Sequence, residues 1–320
     1  MKISVVVPTY KRVNDLAECL DSIMNQEFFP TEVFVIDNAK ENQTKELIAG
    51  KKYLFEKINI KLEYFENPKE NSLTSARNFG AKMCIGDIVS FLDDDVILDK
   101  SYYKEINNFF KENKAAIGVG GITTGNLYEK NKQKFLIAQI LGRIFFLGYN
   151  KNSRGVVFPS LGVIAPMGGN IVLSEWLGGA SMHYRKKVFD KFSFDENLKK
   201  YSWNEDLDFS YRVYKKYPGT LFFNPKVKYL HKVSESGRTM GKEKAFMEEV
   251  YNLYLFYKLI PQNFKNKLIY VWARIGTIIY KLLKFRFQDI YFSFFATIFC
   301  IKNLENIKAG NLEFFNKTLK

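Results

Sequence analysis

Residues 88–95 read Ile-Val-Ser-Phe-Leu-Asp-Asp-Asp, an apolar run that stops at three consecutive carboxylates. Such a run offers water almost no polar surface, so it predicts a buried strand of the kind found in parallel sheets. Asp93, Asp94 and Asp95 then fall at its C-terminal tip, where like charges repel one another unless a cation joins them. Alternate residues of extended backbone point to one side, so Asp93 and Asp95 face a common ligand while Asp94 turns away. Oxygen ligands suit a hard ion such as Mg²⁺ or Mn²⁺, which binds one or two carboxylates and completes its shell with phosphate and water. In open α/β sheets, ligands bind beyond the carboxyl ends of the strands. A solvated acidic turn is the other reading of the same residues.

The surrounding sequence predicts an α/β fold. Ile3–Val7 and Glu32–Ile36 are β-branched runs, and Ile60–Phe65 alternates like an edge or third strand. Between them, Leu16, Leu20 and Ile23 recur at helical spacing over Leu16–Met24, and Ser75–Met83 reads as a helix. This alternation predicts a Rossmann-like, mostly parallel sheet covered by helices. Farther on, Ala116–Thr123 is strand-like, Phe135–Leu147 helical, and Gly148–Ser174 suits loops and short strands around a pocket. Lys186–Phe192 and Asp206–Lys216 read as helices; Thr220–Phe223 and Lys226–Leu230 read as strands leading into His231. Helical periodicity then covers Lys244–Leu259 and Leu268–Leu283. The expected organisation is a catalytic domain over 1–238 and a helical C-terminal extension over 239–320.

Charge narrows the partners. The chain carries 48 basic and 34 acidic residues, a formal +14, which favours nucleic acid, an anionic membrane or a phosphorylated substrate. No basic–aromatic RNA module is present, so nucleic acid is not expected. Cys19, Cys84 and Cys300 form no CxxC pair, which fits a reduced, intracellular protein. Met1–Pro8 is too short an apolar stretch for a signal peptide, and no run reaches the ~18 uncharged apolar residues of a membrane span. A cytoplasmic protein at the inner face of the cell membrane is expected. Lys284 and Arg286 border the aromatic segment Ile290–Ile301, which suggests a helical element lying on an anionic membrane; packing on the catalytic core is the alternative.

Several short motifs fall at the predicted strand tips. Val5-Val6-Val7-Pro8-Thr9-Tyr10-Lys11-Arg12 joins a strand end, a proline turn and an aromatic ring, a platform for a nucleobase with Arg12 near phosphates. Asp37-Asn38 stands at the next tip, where a carboxylate accepts from a base or ribose. Arg77, in Ser75–Gly80, brings a guanidinium to a helix start, a geometry that suits phosphate or base edges. Each is also an ordinary β–α connection, but in this order they converge on one nucleotide pocket. Gly179 and Ala180, within Leu177–Ser181, permit close backbone approach. Trp176 and Trp203 either stack on sugar faces or belong to the core. Glu205 and Asp206 are either reactive acids or acids complementing a helix N-terminus, the role read for Asp208.

Together the segments VVVPTYKR, VIDN, SARNFG, FLDDD, LGGAS, WNEDLDFSYR and YLH, spread over about residues 1–235, resemble the inverting family 2 glycosyltransferases of the GT-A fold. The resemblance implies a nucleotide-diphosphate sugar donor, a Mg²⁺ or Mn²⁺ ion, and transfer with inversion to a hydroxyl of a glycan or lipid-linked acceptor. Carried over by position, Pro8, Thr9, Tyr10 and Arg12 would line the base and ribose pocket, Asp37 would contact the base, and Arg77 and Asp94 the nucleotide. Asp93 would touch the ribose and share the metal with Asp95 and His231. Gly179 and Ala180 would lie at the donor sugar and acceptor. Arg238, which follows His231 within Ser234–Arg238, is read separately either as a diphosphate contact or as a residue of a mobile loop. Asp206 would be the general base, with Glu205 positioning the acceptor. The family's usual second acid after Asp37 is here Asn38, which leaves the base open. Two other readings are an inactive carbohydrate- or membrane-binding scaffold of this fold, and a nucleotidyltransferase. The latter would want a glycine-rich, lysine-bearing phosphate loop, which VVVPTYKR is not.

Overall fold

The computed structural model describes residues 1–69, 71–124, 132–234, 236 and 239–319. The first elements in chain order are β1 (Ile3–Thr9), α1 (Val13–Met24), β2 (Glu32–Asp37), α2 (Asn42–Lys57), β3 (Lys61–Glu66), α3 (Leu73–Met83), β4 (Ile88–Leu92) and β5 (Val96–Leu98). Next come α4 (Tyr102–Glu112), β6 (Gly118–Thr123), α5 (Lys132–Ile144), β7 (Tyr149–Lys151), β8 (Val156–Val157), β9 (Val163–Pro166), β10 (Val172–Leu173) and β11 (Ser181–Arg185). The chain ends with α6 (Glu205–Lys216), β12 (Leu221–His231), α7 (Gly241–Leu259), α8 (Phe264–Leu283), α9 (Phe287–Lys302), α10 (Leu304–Lys308) and α11 (Glu313–Asn316). Two compact units result. One comprises Met1–Gly125, Gly169–Glu196 and Glu205–Arg238; the other comprises Asn126–Gly168, Asn197–Asn204 and Thr239–Lys320.

The first unit is an α/β fold around a nine-stranded sheet, ordered β10-β12-β6-β11-β4-β1-β2-β3, with β5 on β12. Strands β1 to β4, β6 and β12 run one way, and β5, β10 and β11 run against them, so the sheet is mixed and mostly parallel. The period-two alternation of β1 shows how it is covered. Ile3, Val5 and Val7 pack into one core with Leu16, Leu20, Phe55, Ile106 and Phe109, from α1, α2 and α4. Val6 faces the other core, with Ala76, Phe194 and Phe209, on the side of α3 and α6. The open edge is therefore the row of strand ends at Thr9, Asp37, Leu92 and His231.

Six elements of this unit depart from the sequence expectation. Helix α2 buries only Thr44, Ile48 and Phe55, too sparse a stripe to stand out among its lysines. Helix α4 and the three-residue β5 follow the acidic turn so closely that no separate pattern forms. Strand β11 is polar in sequence yet lies between β4 and β6 in the middle of the sheet. Its fully buried His183 is accommodated because Nδ1 meets Ser90 Oγ at 2.9 Å and Nε2 meets the Tyr102 hydroxyl at 3.0 Å. The segment expected to be helical from Lys186 forms only a 3₁₀ turn over Lys186–Asp190, and the two strands expected around Pro225 are one.

The second unit holds a three-stranded sheet, β7-β9-β8, and a helical assembly with Tyr251, Leu255, Phe256, Ala273 and Ala296 buried. Tyr251 donates to Asn316 Oδ1 at 2.8 Å, and Phe256 stacks on Tyr270 at 4.3 Å. Among the described residues, no helix is long and apolar enough to cross a membrane.

Candidate active site at the carboxyl edge of the sheet

The acidic turn leaves β4 and is at once gripped from neighbouring elements. The β5–β12 ladder pairs Val96 with His231, and Lys232 N–H donates to Asp95 O at 3.0 Å, so strand register itself brings the histidine to the aspartate. His231 Nε2 lies 3.1 Å from Asp95 Oδ1, while Ser234 N–H donates to Asp95 Oδ2 at 2.9 Å. One ligand atom from each of Asp93, Asp95 and His231 can be chosen so that all lie within 4.8 Å of one another. That spacing and donor set fit one divalent cation. Asp95 is fully buried, which opposes ionisation, yet His231, Arg12 and the Ser234 N–H outweigh burial and hold it down to about 2. In the metal-free site these contacts favour its ionised form.

Asp94 turns away, as alternation requires. Thr9 Oγ1 donates to its Oδ2 at 2.8 Å, and Arg12 Nη1 donates to its Oδ1 at 2.9 Å. Arg12 also donates to Ser234 O at 3.2 Å and to Ser236 O at 2.5 Å. The guanidinium expected beside phosphates is therefore engaged in tying the β1 tip to the acidic turn and to the segment after β12. Two residues here take left-handed backbone, Lys11 at φ 55° and Val233 at φ 57°. For a β-branched residue this is a real outlier, and strain of this type gathers at functional sites. Pro8 is buried and Tyr10 half-buried, with Lys11 Nζ 5.5 Å from the Tyr10 ring.

Arg77 links three segments of the site. It is fully buried, and its donors go to Glu205 Oε1, to Asp93 Oδ1 at 2.9 Å and to Gly179 O at 3.1 Å. One guanidinium therefore joins the acidic turn, the glycine segment before β11 and the start of α6. Burial and the adjacent Asp206 raise Glu205 against the pull of Arg77. A variant such as Arg77→Met should lose roughly 3–5 kcal/mol of stability by urea unfolding, since it strands buried charge. A loss under about 1 kcal/mol would show that the acids do not depend on it.

Asp206 sits on the first turn of α6. Its Oδ2 accepts from Gly179 N–H at 2.7 Å and its Oδ1 from Leu207 N–H at 2.8 Å. Unlike Glu205 it is only half-buried, so lone pairs remain for a ligand. Burial raises its pKa, opposed by those N–H groups and by Arg77. Gly179 is glycine for a steric reason: a Cβ there would sit 3.2 Å from Glu205 Oε1 and 3.3 Å from both Arg77 Nη2 and Asp206 Cβ. Ala180 follows it, buried. Asp208, fully buried, pairs with Arg212 at 2.7 Å on the same helix.

Asp37 is fully buried, and its carboxylate accepts from Ala39 N–H at 2.8 Å, Glu41 N–H at 3.0 Å and Tyr64 Oη at 3.1 Å. Asn38 Oδ1 accepts from Asn67 Nδ2 at 2.7 Å, and Ser75 Oγ donates to Asn67 Oδ1 at 3.0 Å. Asn67 thus fixes the tips of β2 and β3 to α3. Among the motifs at the strand tips, Asn67 is marked only by the Asn67-Pro68 pair directly after a strand. The expected contact Arg238 lies outside the described residues.

The family model for glycosyl transferase family 2 matches residues 4–166, half of the chain. The chain belongs to that family. The matched span carries Thr9, Arg12, Arg77 and the three aspartates, and ends before Gly179, Glu205, Asp206 and His231. Among curated relatives of this family member, the glycosyltransferase GlyA of Streptococcus pneumoniae is 28% identical over 196 residues, 61% of this chain and 26% of GlyA. The poly(ribitol-phosphate) β-N-acetylglucosaminyltransferase TarS of Staphylococcus aureus is 32% identical over 119 residues, 37% of this chain and 20% of TarS. The chain therefore spans only about a quarter of these relatives. A structure of TarS residues 1–349 with UDP-GlcNAc matches with TM-score 0.51 at 17% identity, over 86% of this chain and 72% of that one. The mannosyltransferase PcManGT of Pyrobaculum calidifontis, with GDP-Man and Mn²⁺, matches with TM-score 0.56 at 13% identity, over 97% and 84%. These likenesses show the shared GT-A fold.

Proposed function

We propose that this protein transfers a sugar from a nucleotide-diphosphate donor to a hydroxyl of a glycan or lipid-linked acceptor, with inversion, at an anionic membrane surface. The observation that carries the reading is Arg77, whose single guanidinium holds Asp93 and Glu205, next to Asp206, in one constellation. The nucleotide complexes of the TarS and PcManGT structures support a donor of this class. A divalent ion, held by Asp93, Asp95 and His231, would neutralise the leaving diphosphate. Pro8, Thr9 and Tyr10 form the floor under the nucleoside at the β1 tip, with Asp37 and Asp94 fixing the loops around it. Arg12 and Arg77 act through the acids they hold. Gly179 and Ala180 leave room for the sugar. Asp206 takes the acceptor proton as the acceptor oxygen attacks the anomeric carbon. The bond from that carbon to the diphosphate oxygen breaks on the opposite face, so configuration inverts without a covalent intermediate. Glu205 is a positioning residue, set against Arg77.

A screen of nucleotide sugars for nucleoside diphosphate release tests this directly. One donor should turn over only with Mn²⁺ or Mg²⁺, with activity lost on EDTA and restored by the metal. Metal-independent turnover, or none with any donor and acceptor, removes the reading.

A further inference from the structure

In the second unit, α8 and α9 are built inside out. On α8, Phe264, Leu268, Val271, Ile275, Ile278 and Leu282 recur every three or four residues, and all are exposed, Phe264 by 78%. On α9, Phe287, Tyr291, Phe294, Phe295 and Ile301 repeat the pattern, again exposed. Apart from Tyr270, the buried positions of the two helices are small or polar. Ser293, Ala296 and Cys300 are buried on α9, and Lys281 of α8 is buried with Nζ donating to Ser293 Oγ at 2.6 Å. Gly276 makes room for Phe145, the residue after α5, since a Cβ there would lie 2.3 Å from Phe145 Cβ. Trp272 Nε1 donates to Ile144 O at 2.9 Å, tying the end of α5 to α8, and Leu136, Ile137 and Ile140 of α5 are exposed as well. Scattered exposed apolar residues need no explanation, but two aligned helical stripes do.

Charge says what covers them. Between Pro261 and Lys302 stand seven basic residues and one acid, Asp289, which is itself paired with Arg286. Lys265 and Lys267 lie at the start of α8, Lys284 and Arg286 at the α8–α9 turn, and Lys302 at the end of α9. Five of the seven cations thus stand at the ends of the stripes; of the other two, Arg274 midway along α8 is paired with Glu249 at 3.7 Å and Lys281 is buried against Ser293. This is the distribution of a helix pair lying in a lipid interface, with apolar side chains in the acyl boundary and cations among phosphates. Neither helix can cross the bilayer. A second copy of this chain would set one cationic face against another, which disfavours self-association.

We infer that the exposed face of α8 and α9 beds into an anionic lipid leaflet. This deepens the membrane part of the proposed function and does not depend on the transfer chemistry, because its readout involves neither donor nor turnover. The full chain should co-sediment with vesicles of roughly one part phosphatidylglycerol to two parts phosphatidylcholine, and bind phosphatidylcholine vesicles at least about tenfold more weakly. The double variant Ile275→Glu/Phe294→Glu should lose at least about tenfold in vesicle binding while keeping its far-ultraviolet circular dichroism. Should that variant misfold, Lys265→Glu/Lys267→Glu/Lys284→Glu replaces it, with a similar loss expected. Absent binding of the parent chain to the anionic vesicles overturns the inference, as does unchanged binding by folded variants. A dimer in solution that the apolar variant splits, without vesicle binding, would assign the face to self-association instead.

Discussion

An Asp206→Asn variant should bind nucleotide and metal as the parent does and lose about 10²- to 10⁴-fold in kcat, the usual contribution of a positioned base. Asparagine keeps an oxygen for the Gly179 N–H, now at 2.7 Å, so the junction between the glycine segment and α6 survives. What goes is the lone pair that takes the acceptor proton. Glu205 cannot substitute, because it is buried and spent on Arg77. The pH profile adds a second signature. A base must be ionised to act, so kcat/KM rises with pH and is lost as pH falls through the base's pKa. Burial raises Asp206, which moves that limb above the ordinary carboxylate range. Because Glu205 lies alongside, the limb belongs to the pair rather than to one residue. Titration calorimetry and stopped assays separate the outcomes: near-parental turnover by the variant removes Asp206 as the base.

Much of the first unit was legible because its parallel half is written in runs. Ile3–Val7, Glu32–Ile36 and Ile88–Leu92 are apolar, and each ends in polar residues that mark the open edge. The fold class and the grouping of strand-tip motifs follow from that pattern. Strand β11 was not legible, because its interior polar residues are satisfied by partners 81 and 93 positions away in sequence. No local rule for alternation anticipates a buried histidine whose partners come from α4 and β4. Helix α2 was hidden by the opposite effect, a short buried stripe diluted by lysines.

The same contrast runs through the site. Asp93, Asp94 and Asp95 announce themselves as a cluster, and alternation separates Asp94 from the other two. Arg77 looked like a ligand contact because arginine near a strand tip suits phosphate. The fold also makes it an internal brace, whose partners lie 16, 102 and 128 residues away and are assembled only by the folded chain. Arg12 shows a milder version, its donors claimed by Asp94 and by carbonyls more than 200 residues on. Both arginines thus fix the acids of the candidate site. Removing such a brace and removing an acid should therefore differ, the first affecting stability and the second affecting ligand binding.

Asp95 is where that difference is sharpest. In Asp95→Ala, metal-dependent nucleotide binding should weaken by at least about 100-fold, on the scale seen when a metal loses a ligand or its supporting contact. The cation would keep Asp93 and His231 but lose the carboxylate between them. Asp95→Asn isolates the charge, because it retains an acceptor for Ser234 N–H and the same volume. If the carboxylate's charge is what holds the cation, Asn should bind metal nearly as poorly as Ala while unfolding closer to the parent. Linkage supplies an independent check on the metal-free protein. A carboxylate lowered from 3.8 to about 2 stabilises the fold above its unfolded pKa, and that contribution disappears as pH falls from about 4 to about 2. The parent should therefore lose more stability than Asp95→Asn across that window, measured by urea unfolding at stepped pH. Equal pH dependence would mean that His231 and Arg12 do not hold the carboxylate ionised. Unchanged Mn²⁺-dependent nucleotide titrations in Asp95→Ala would remove it from the metal site altogether.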